Sequence, residues 1–361
     1  MLKARAIAFY LPQFHPIPEN DLWWGKGFTE WTNTAKARPM FRGHYQPHVP
    51  ADLGFYDLRV PETRVQQAEM AASYGIEGFC YYHYWFAGRR ILERPFNEVV
   101  ASSSPDFPFC LCWANQTWSG IWHGVPNRTL IEQTYPGEAD HRSHFAALRP
   151  AFCDPRYIRV DGKPFFVIYQ PLKLPDIDET LRLWRSLAAE AGLPGLHIAG
   201  YSIDPCEDLL SLGYDAMIRG PDFKEHVWRN DWRNPVARVR QKIDYKLGKP
   251  HMHEYANLVA DQIAALDGGK TYQSVAHAWD NTPRSGRRGV AYANPDPELF
   301  RKLLGAAVAD IAGRPADQRL VFLKSWNEWA EGNHLEPDLR YGTAYLQVLA
   351  EALGKQVPPQ G

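Results

Sequence analysis

Residues 320–337, LVFLKSWNEWAEGNHLEP, begin as a short apolar run and then turn polar, acidic and aromatic. Such a run, rich in β-branched and aromatic residues, predicts a buried strand. Just beyond it, Glu328 and Glu331 lie three positions apart beside Trp326 and Trp329. Cleavage of a glycosidic bond needs one protonated and one ionised carboxyl, and apolar walls raise the pKa of the first. Acids that merely complement a helix dipole are the alternative, but they rarely come with two tryptophans.

Composition excludes several classes of function. The chain has 361 residues, enough for two domains or one large α/β barrel, and its 45% hydrophobic and 22% charged residues are ordinary for a globular protein. A net charge of −1 gives no electrostatic reason to expect nucleic acid or an anionic membrane as partner. The 13 Trp and 18 Tyr favour carbohydrate or another flat neutral ligand, with a large core as the alternative.

The cysteines and the N-terminal residues give no sign of a metal site, a disulfide framework or a membrane segment. The five cysteines include no CxxC pair, and Cys110 and Cys112 lie in an apolar run, which indicates core thiols rather than a zinc site or a disulfide framework. The N-terminal residues enter a strand without a signal-peptide apolar region, and no run approaches the ~18–20 apolar residues of a membrane span. We therefore expect a cytoplasmic protein, or a periplasmic one if a leader has been removed.

Strand patterns and helix patterns alternate along the chain. Eight segments predict strands: 4–11, 76–84, 107–114, 164–169, 196–201, 215–219, 272–279 and 319–326. Helical patterns cover 62–74, 91–101, 141–152, 178–191, 297–311 and 340–353. This alternation favours an α/β fold, a single (β/α)8 barrel over residues 1–354 with long loops at its C-terminal face and a flexible tail at 355–361. A doubly wound sheet would want a Gly-rich phosphate turn after an early strand, and the sequence has none.

Two segments interrupt the alternation. The aromatic, Gly- and Pro-rich loop 16–61 is too long for a mere connection, so we expect it to be functional and packed on the barrel mouth. In 221–269, clustered basic residues indicate a solvated helical excursion more than a phosphate-binding patch. These residues are Arg229, Arg233, Arg238, Arg240, Lys242, Lys246 and Lys249.

Four long motifs carry a family resemblance. They are FYLPQFHP at 9–16, WWGKGFTEW at 23–31, GFCYYHYWF at 78–86 and WNEWAEG at 326–332. Together they resemble the WbsX-type, glycoside-hydrolase-family-99-like proteins, which are typically encoded with bacterial polysaccharide genes. The resemblance covers nearly the whole chain and implies a (β/α)8 barrel and retaining endo-α-mannosidase chemistry. In that family the first Glu of a Glu-x-x-Glu pair is a base on the sugar's 2-hydroxyl, which attacks the anomeric carbon, and the second is the acid. Those roles map onto Glu328 and Glu331.

Two positions depart from the family pattern. Residues 113–118 are WANQTW where relatives usually have WANENW, so Gln116 offers a neutral amide in place of an ionised contact. Thr134 likewise stands where an acidic residue often follows the glutamine. The sugar specificity of the family is therefore not carried over.

Polar and aromatic residues at the predicted strand ends and in the motifs are the candidate substrate contacts, beside the catalytic Glu328 and Glu331. They are Tyr10, Gln13, His15, Trp31, Tyr82, His83, Tyr84, Trp113, Asn115, Gln116, Tyr169, Tyr201, Trp279, Asp280, Trp326, Asn327 and Trp329. For His15 and His83 the alternative is a core histidine, and Trp31 is equally well a lid or a loop-core residue.

The sequence favours a retaining glycoside hydrolase, or a transglycosylase with the same residues, acting on a bacterial oligo- or polysaccharide. A glycosyltransferase of O-antigen or capsule biosynthesis, using a nucleotide or lipid-linked sugar, is the main alternative, and a non-catalytic carbohydrate-binding barrel is another. A metal site from Glu328, Glu331, His334 and Glu336 is disfavoured because Gly332 and Pro337 break the helix that would align them. We therefore expect no metal and no cofactor.

Overall fold

The structure is a computed structural model that describes residues 2–120, 129–204, 206–223, 246 and 248–357. Its centre is a sheet of eight parallel strands. They are β1 (Arg5–Tyr10), β2 (Ile76–Phe86), β3 (Phe109–Trp113), β4 (Lys163–Ile168), β5 (His197–Ser202), β6 (Ala216–Arg219), β7 (Tyr272–Ala276) and β8 (Leu320–Lys324). Strands adjacent in the chain are adjacent in the sheet, and β1 closes the ring because Ala6 pairs with both Ile76 and Val321. The predicted (β/α)8 barrel is confirmed.

Aromatic rings fill the barrel interior. Phe9, Phe165 and Phe322 are fully buried, and the ring of Phe322 lies 5.6 Å from each of the other two. Because successive strand residues point to opposite faces, the neighbours of these rings face the surrounding helices. Burial on both faces explains why the strands are nearly continuous apolar runs in the sequence.

Helices surround the barrel and line its mouth. They are α1 (Pro18–Trp24), α2 (Glu30–Lys36), α3 (Pro61–Ser73), α4 (Arg94–Ser102), α5 (Glu138–Phe152), α6 (Ile177–Glu190), α7 (Tyr255–Ala264), α8 (Thr282–Ser285), α9 (Pro297–Asp310) and α10 (Ala344–Leu353). Pro61 opens α3 at a position where no backbone N–H is needed. On α6, Trp184 turns inward and stacks on Phe166 of β4 at 5.0 Å, which shows how the apolar stripe of a helix docks on the barrel.

Short strands decorate the loops. They are Arg89–Ile91, Trp118–Ser119, Thr129–Ile131, Arg159–Val160, His251–Glu254, Val290–Ala293, Asn327–Glu328 and Asn333–His334. The strand His251–Glu254 pairs in parallel with Val290–Ala293 and leads into α7, so the described end of the 221–269 excursion is part strand and part helix. Arg229, Arg233, Arg238, Arg240 and Lys242 lie outside the described residues, as do tail residues 358–361. The domain bounds remain a prediction.

The long loop 16–61 packs on the barrel mouth, as expected from its sequence. Its α2 begins where Glu30 N donates to Gln13 O at 3.0 Å, and Trp31 packs 5.3 Å from Trp329 beyond β8. Further along, Ala51 N donates to Pro337 O at 2.9 Å. Across the described ranges, no helix combines the length and apolarity needed to cross a membrane.

Candidate active site

The barrel mouth holds a cleft of about 380 Å³ over the C-terminal ends of the strands. The chain after β8 forms its floor by folding back as a hairpin, in which Asn327–Glu328 pairs with Asn333–His334. Ser325 closes this hairpin, because its Oγ donates to Asn333 O at 2.6 Å and accepts from Glu328 N at 3.1 Å. Glu328 and Glu331 therefore both face the cleft although they come from one short segment.

Glu328 is paired with a lysine at the end of β8. Lys324 Nζ donates to Glu328 Oε2 at 2.9 Å and to the hydroxyl of Tyr82 at 3.1 Å. All three side chains are buried. Lys324 follows Phe322 by two positions on β8, so both side chains point into the barrel. The ammonium group of Lys324 therefore lies below the Glu328 carboxylate.

Glu331 is paired with an arginine from the loop after β7. Arg284, on α8, contacts Glu331 Oε1 through Nη1 and donates from Nε to Glu30 Oε1 at 2.7 Å. The two loops are joined by a bond from Asp280 N to Glu331 O at 2.7 Å. Gly332 has a left-handed φ of 56°, and a Cβ there would lie 2.9 Å from Asp280 Cβ, so only glycine fits this close approach.

The buried charges of the floor balance only if one carboxyl is protonated. The ion pairs join three carboxyl groups, of Glu30, Glu328 and Glu331, to two cations, Lys324 and Arg284. With every group ionised the cluster would carry a net negative charge away from water, which is costly. One proton on a carboxyl brings the net charge of the cluster to zero.

The pKa shifts indicate which carboxyl holds the proton. Burial alone would raise the pKa of Glu328, but the charge of Lys324, the hydrogen bond from Glu331 and the charge of Arg284 together outweigh burial and hold that pKa below its usual range. Burial and the charge of Glu328 raise the pKa of Glu331 well above its usual range, although Arg284 opposes this. The two carboxyl groups also share a hydrogen bond that favours the protonated form of Glu331. Glu331 is thus the donor and Glu328 the ionised acceptor.

Aromatic side chains form the walls of the cleft. Tyr169 and Tyr201, from the ends of β4 and β5, stack at 5.0 Å and stand beside Tyr82. On the other side, Trp279 stacks on Phe223 at 3.7 Å with an interplanar angle of 11°. Flat apolar faces with hydroxyl edges, set above paired carboxylates, suit a neutral polyhydroxylated ligand.

The structure brings together the two predicted catalytic residues and part of the predicted contact set. The predicted contacts that line the cleft are Gln13, Tyr82, Tyr84, Gln116, Tyr169, Tyr201 and Trp279. The others lie behind its walls or in neighbouring loops: Tyr10, His15, Trp31, His83, Trp113, Asn115, Asp280, Trp326, Asn327 and Trp329. The roles of all these residues in binding remain predictions.

Strand alternation explains why three of these residues lie behind the wall. Tyr10 donates from its hydroxyl to Gln67 Oε1 of α3 at 2.7 Å. The ring of His83 meets His144 of α5, with their Nε2 atoms 2.7 Å apart, and Trp113 also packs against His144. Each is adjacent in the chain to an inward-facing residue and therefore faces the helices.

Other predicted contacts hold the loops in place. Asn327 pairs with the backbone of Leu11, accepting from N at 2.7 Å and donating to O at 3.0 Å. Asn115 makes the same kind of pair with the backbone of Gln170. Trp31 donates from Nε1 to the Tyr56 carbonyl at 2.7 Å. These side chains fix the backbone that carries the cleft.

Two of the remaining predicted contacts, Trp326 and Trp329, are buried beside the hairpin, and the third, His15, is buried in the chain that follows β1. Trp326 is fully enclosed and packs on Phe79 at 5.3 Å. The indole of Trp329 stacks on His334 at 3.6 Å with an interplanar angle of 9°. Burial of His15 lowers its pKa to about 4. Neither tryptophan lines the cleft, so the burial of Glu331 comes from the whole floor rather than from these indoles.

Asp280 lies at a junction between loops. Its Oδ2 accepts from His44 Nε2 at 2.6 Å and from Gln46 Nε2 at 2.7 Å, while Oδ1 accepts from Thr282 N at 3.0 Å. Burial would raise the pKa of Asp280, but these hydrogen bonds lower it. Asp280 faces a second cavity beside the cleft, not the cleft itself.

Three charged residues of the floor, Lys324, Arg284 and Glu30, were not predicted from the sequence. Lys324 carried a signal, since a lysine at the end of an apolar strand must face either a partner or the barrel mouth. Glu30 lies in the motif at 23–31 but, like Arg284, gave no sign of its partner, because the two are separated by 254 positions and meet only in the fold.

The chain matches a known protein family over nearly its whole length. A family model described as "Glycosyltransferase WbsX" matches residues 6–349. Two curated relatives, both called uncharacterized protein WxcX, come from strains B100 and ATCC 33913 of Xanthomonas campestris pv. campestris. Each is 39% identical over 354 residues, which cover 98% of this chain and 50% of the relative. The chain spans about half the length of the curated relatives that it matches.

Solved structures share the fold. A protein described as glycoside hydrolase-like aligns with a TM-score of 0.59 and 15% identity, covering 97% of this chain and 94% of that one. A GH99 endo-alpha-mannosidase from Bacteroides thetaiotaomicron aligns with a TM-score of 0.58 and 14% identity, covering 97% and 96%. The family resemblance predicted from the four motifs is confirmed. With a family model matched from residue 6 to residue 349 and relatives at 39% identity, the chain belongs to the WbsX family.

Proposed function

We propose that this protein is a carbohydrate-active enzyme and, more specifically, a retaining glycoside hydrolase, or a transglycosylase with the same residues, that acts on a bacterial polysaccharide. One observation carries the proposal: Glu328 and Glu331 are hydrogen-bonded to each other on the floor of an aromatic-walled cleft, and their pKa values are shifted in opposite directions. Two carboxyl groups whose surroundings separate their pKa values are what acid–base cleavage of a glycosidic bond requires.

In the proposed first step, ionised Glu328 removes the proton from the 2-hydroxyl of the reacting sugar. The freed O2 attacks the anomeric carbon, and the bond from that carbon to the leaving oxygen breaks. Glu331 gives its proton to the leaving oxygen, so it becomes the carboxylate and Glu328 the acid. A 1,2-anhydro sugar remains in the cleft, and no net charge has entered the floor.

In the second step, water or another sugar hydroxyl attacks the anomeric carbon from the face that the leaving group vacated, and the bond between that carbon and O2 breaks. Glu331 takes the proton of the attacking oxygen and Glu328 returns its proton to O2, which restores both residues. Two inversions give net retention of the anomeric configuration. An ordinary retaining pair would differ, since one carboxylate would attack the carbon directly.

The cations of the floor prepare Glu328 and Glu331 for these roles. Lys324 stabilises the ionised form of Glu328 before the first step. Arg284 contacts Glu331 and stabilises the carboxylate that forms when Glu331 has given up its proton. The hydroxyl of Tyr82, bonded to Lys324, keeps that ammonium group in place below the substrate.

A transferase that uses a nucleotide sugar fits the cleft less well. Among the described residues of its lining, the cations are Lys324 and Arg284, and each is already paired with a carboxylate. A diphosphate would have to compete with buried carboxylates for both. Lipid-linked or saccharide acceptors remain compatible with the transglycosylase form of the proposal.

The test is digestion of the producing bacterium's own surface polysaccharide, followed by NMR. We expect new reducing ends whose initial anomeric configuration matches that of the cleaved bond, without any added nucleotide or metal. The Glu331→Gln variant is the control and should release reducing ends at least about 10²-fold more slowly than the parent. Product that forms only when a nucleotide sugar is supplied would contradict the hydrolase assignment.

A further inference from the structure

A second cavity of about 320 Å³ lies beside the cleft and shares the indole of Trp279 with it. We call it the histidine cavity, because His44, His48, His277 and His334 line it. It forms between the loop that carries His48 and the segment that follows the β8 hairpin. The mechanism proposed above uses none of these four imidazoles.

Three donor atoms converge in the histidine cavity. His48 Nδ1 lies 2.8 Å from His334 Nε2, and Asp338 Oδ2 lies 3.9 Å from each of these two nitrogens. All three residues are buried. In a tetrahedral zinc site with ligand bonds of about 2.0–2.1 Å, donor atoms lie roughly 3.3 Å apart, so the observed spacings bracket that value.

In His334 and Asp338, the polar side-chain atom that does not face the donor cluster is held by a hydrogen bond to the backbone. His334 Nδ1 lies 2.9 Å from the Glu336 carbonyl, which only accepts, so Nδ1 carries the hydrogen and Nε2 presents its lone pair to the donor cluster. Asp338 Oδ1 accepts from Arg340 N at 2.9 Å and Tyr341 N at 2.7 Å, which directs Oδ2 toward the imidazoles. Metal-binding histidines characteristically donate their second ring nitrogen to a backbone carbonyl.

The backbone holds the donors in register. Leu339 N donates to Val49 O at 3.0 Å, and Ala51 N donates to Pro337 O at 2.9 Å. In one segment the bonded residues, 337 and 339, flank Asp338. In the other segment they are 49 and 51, which come just after His48. The stack of His334 on Trp329 fixes the third donor. Such pre-positioning lowers the ordering cost of binding an ion.

A proton between the two imidazoles would account for their 2.8 Å contact, but not for the carboxylate oxygen placed equally far from both. A divalent cation accounts for all three donors at once. Two imidazoles and one carboxylate suit a first-row transition metal rather than Mg²⁺ or Ca²⁺, which prefer oxygen ligands. The side of the cluster that faces the cavity leaves room for a water or another oxygen ligand.

We propose that His48, His334 and Asp338 form a binding site for a divalent transition-metal ion, with Zn²⁺ as the best fit, and that the ion clamps the His48 loop onto the β8 hairpin. This proposal is independent of the reaction assigned to the cleft. His334 lies on the hairpin that carries Glu331, so the clamp would stiffen the floor without contacting substrate. In the sequence, His334 was a candidate ligand only together with Glu328, Glu331 and Glu336, and no metal was expected.

The test uses the full chain stripped with a chelator, reloaded with Zn²⁺ and desalted, with metal content measured by mass spectrometry and Tm by calorimetry. We expect about one Zn²⁺ per chain and a rise in Tm of at least about 2 °C, with no rise in Mg²⁺ or Ca²⁺. Asp338→Asn keeps an acceptor for the two backbone N–H groups but loses the ligand oxygen, so both effects should disappear.

The matched control is Glu254→Gln, which changes an exposed carboxylate of the same cavity outside the donor set. It should keep both effects. If Asp338→Asn fails to fold, His48→Gln gives the same comparison. The proposal is overturned if the parent chain retains no Zn²⁺ and shows no Tm rise, if both variants of the donor set bind as well as the parent, or if Glu254→Gln abolishes binding.

Discussion

Glu331 and Glu336 lie on the same short segment after β8, and both are buried, at 7% and 1% exposed, but their partners differ in kind. Glu331 contacts the cation of Arg284 and is hydrogen-bonded to the carboxylate of Glu328. Glu336 accepts only from neutral groups: Tyr56 at 2.8 Å, Gln67 at 2.6 Å and Trp329 Nε1 at 2.5 Å.

This difference separates a carboxyl that can do chemistry from one that holds the fold. The neutral donors around Glu336 tie the hairpin to α3 and to the loop 16–61, and no side of it faces the cleft. Burial raises the pKa of Glu336 to about 7, although those hydrogen bonds lower it. Around Glu331, charged partners leave one proton to move. We therefore propose that the partners of each glutamate decide whether it serves catalysis or structure.

The largest expected effect concerns the substrate. If Glu328 acts on the 2-hydroxyl, substrates with that group methylated or removed should show no detectable turnover while still binding in the cleft. Product release can be followed by NMR, and binding by saturation-transfer difference. A 2-fluoro analogue that leaves a covalent sugar on Glu328, seen by mass spectrometry, would refute the 2-hydroxyl route but not the hydrolase assignment.

Glu331→Gln should lower kcat/KM by about 10²–10⁴-fold, the usual contribution of a general acid or base. Because glutamine resembles a protonated glutamate, its amide can still donate to Glu328 and accept from Arg284. We therefore expect Tm to change little. A variant with most of the parent activity on the true substrate would show that the acid is another residue.

Lys324→Met should destabilise the protein by about 3–5 kcal/mol, because Glu328 would be left buried without its cation. It should also move the acidic limb of the pH–activity profile to higher pH, since the pKa of Glu328 would no longer be held down. Denaturant unfolding and a pH series of initial rates measure the two effects.

The control for Lys324→Met is Arg182→Met, which breaks an exposed ion pair with Asp178 on α6. Its denaturation midpoint and pH profile should match those of the parent, because exposed ion pairs contribute little to stability. Equal losses in the two variants would mean that the position of Lys324 in the floor is unimportant.

The smallest expected effect is that of Glu336→Gln. The amide N–H of the new glutamine would point at a group that now donates to the carboxylate, either the Tyr56 hydroxyl or the Gln67 amide. Because that hydrogen bond would be lost in a buried place, the free energy of unfolding should fall by about 1–3 kcal/mol. The kcat of the folded fraction should change far less than in Glu331→Gln. A loss of kcat without a loss of stability would place Glu336 in the chemistry and erase the distinction drawn above.

The fold could be predicted from the sequence because barrel strands are short apolar runs separated by amphipathic helices, and both patterns are local. The positions of residues at strand ends were also predictable, but it was harder to predict whether each side chain faces the cleft or the surrounding helices. Tyr81, Tyr82 and His83 are consecutive, and only Tyr82 lines the cleft. Deciding which of three adjacent aromatic residues points inward requires the register of β2, and an all-aromatic run hides it.

Contacts between distant segments could not be predicted. Arg284 meets Glu30, and His48 meets His334, across 254 and 286 positions. No local pattern marks such pairs, because each partner alone is an ordinary polar residue. Lys324 is the exception, since its place at the end of an apolar strand set it apart.

The most direct test of the central claim is to locate the proton of the Glu328–Glu331 pair at neutral pH by infrared difference spectroscopy. Glu336→Gln serves as the background, so that its carboxyl does not contribute. We expect a protonated-carboxyl band that disappears in the added Glu331→Gln variant and that fades only as the pH is raised, because the pKa of Glu331 is raised. A spectrum without that band, or a band that survives Glu331→Gln, would contradict the assignment of Glu331 as the acid.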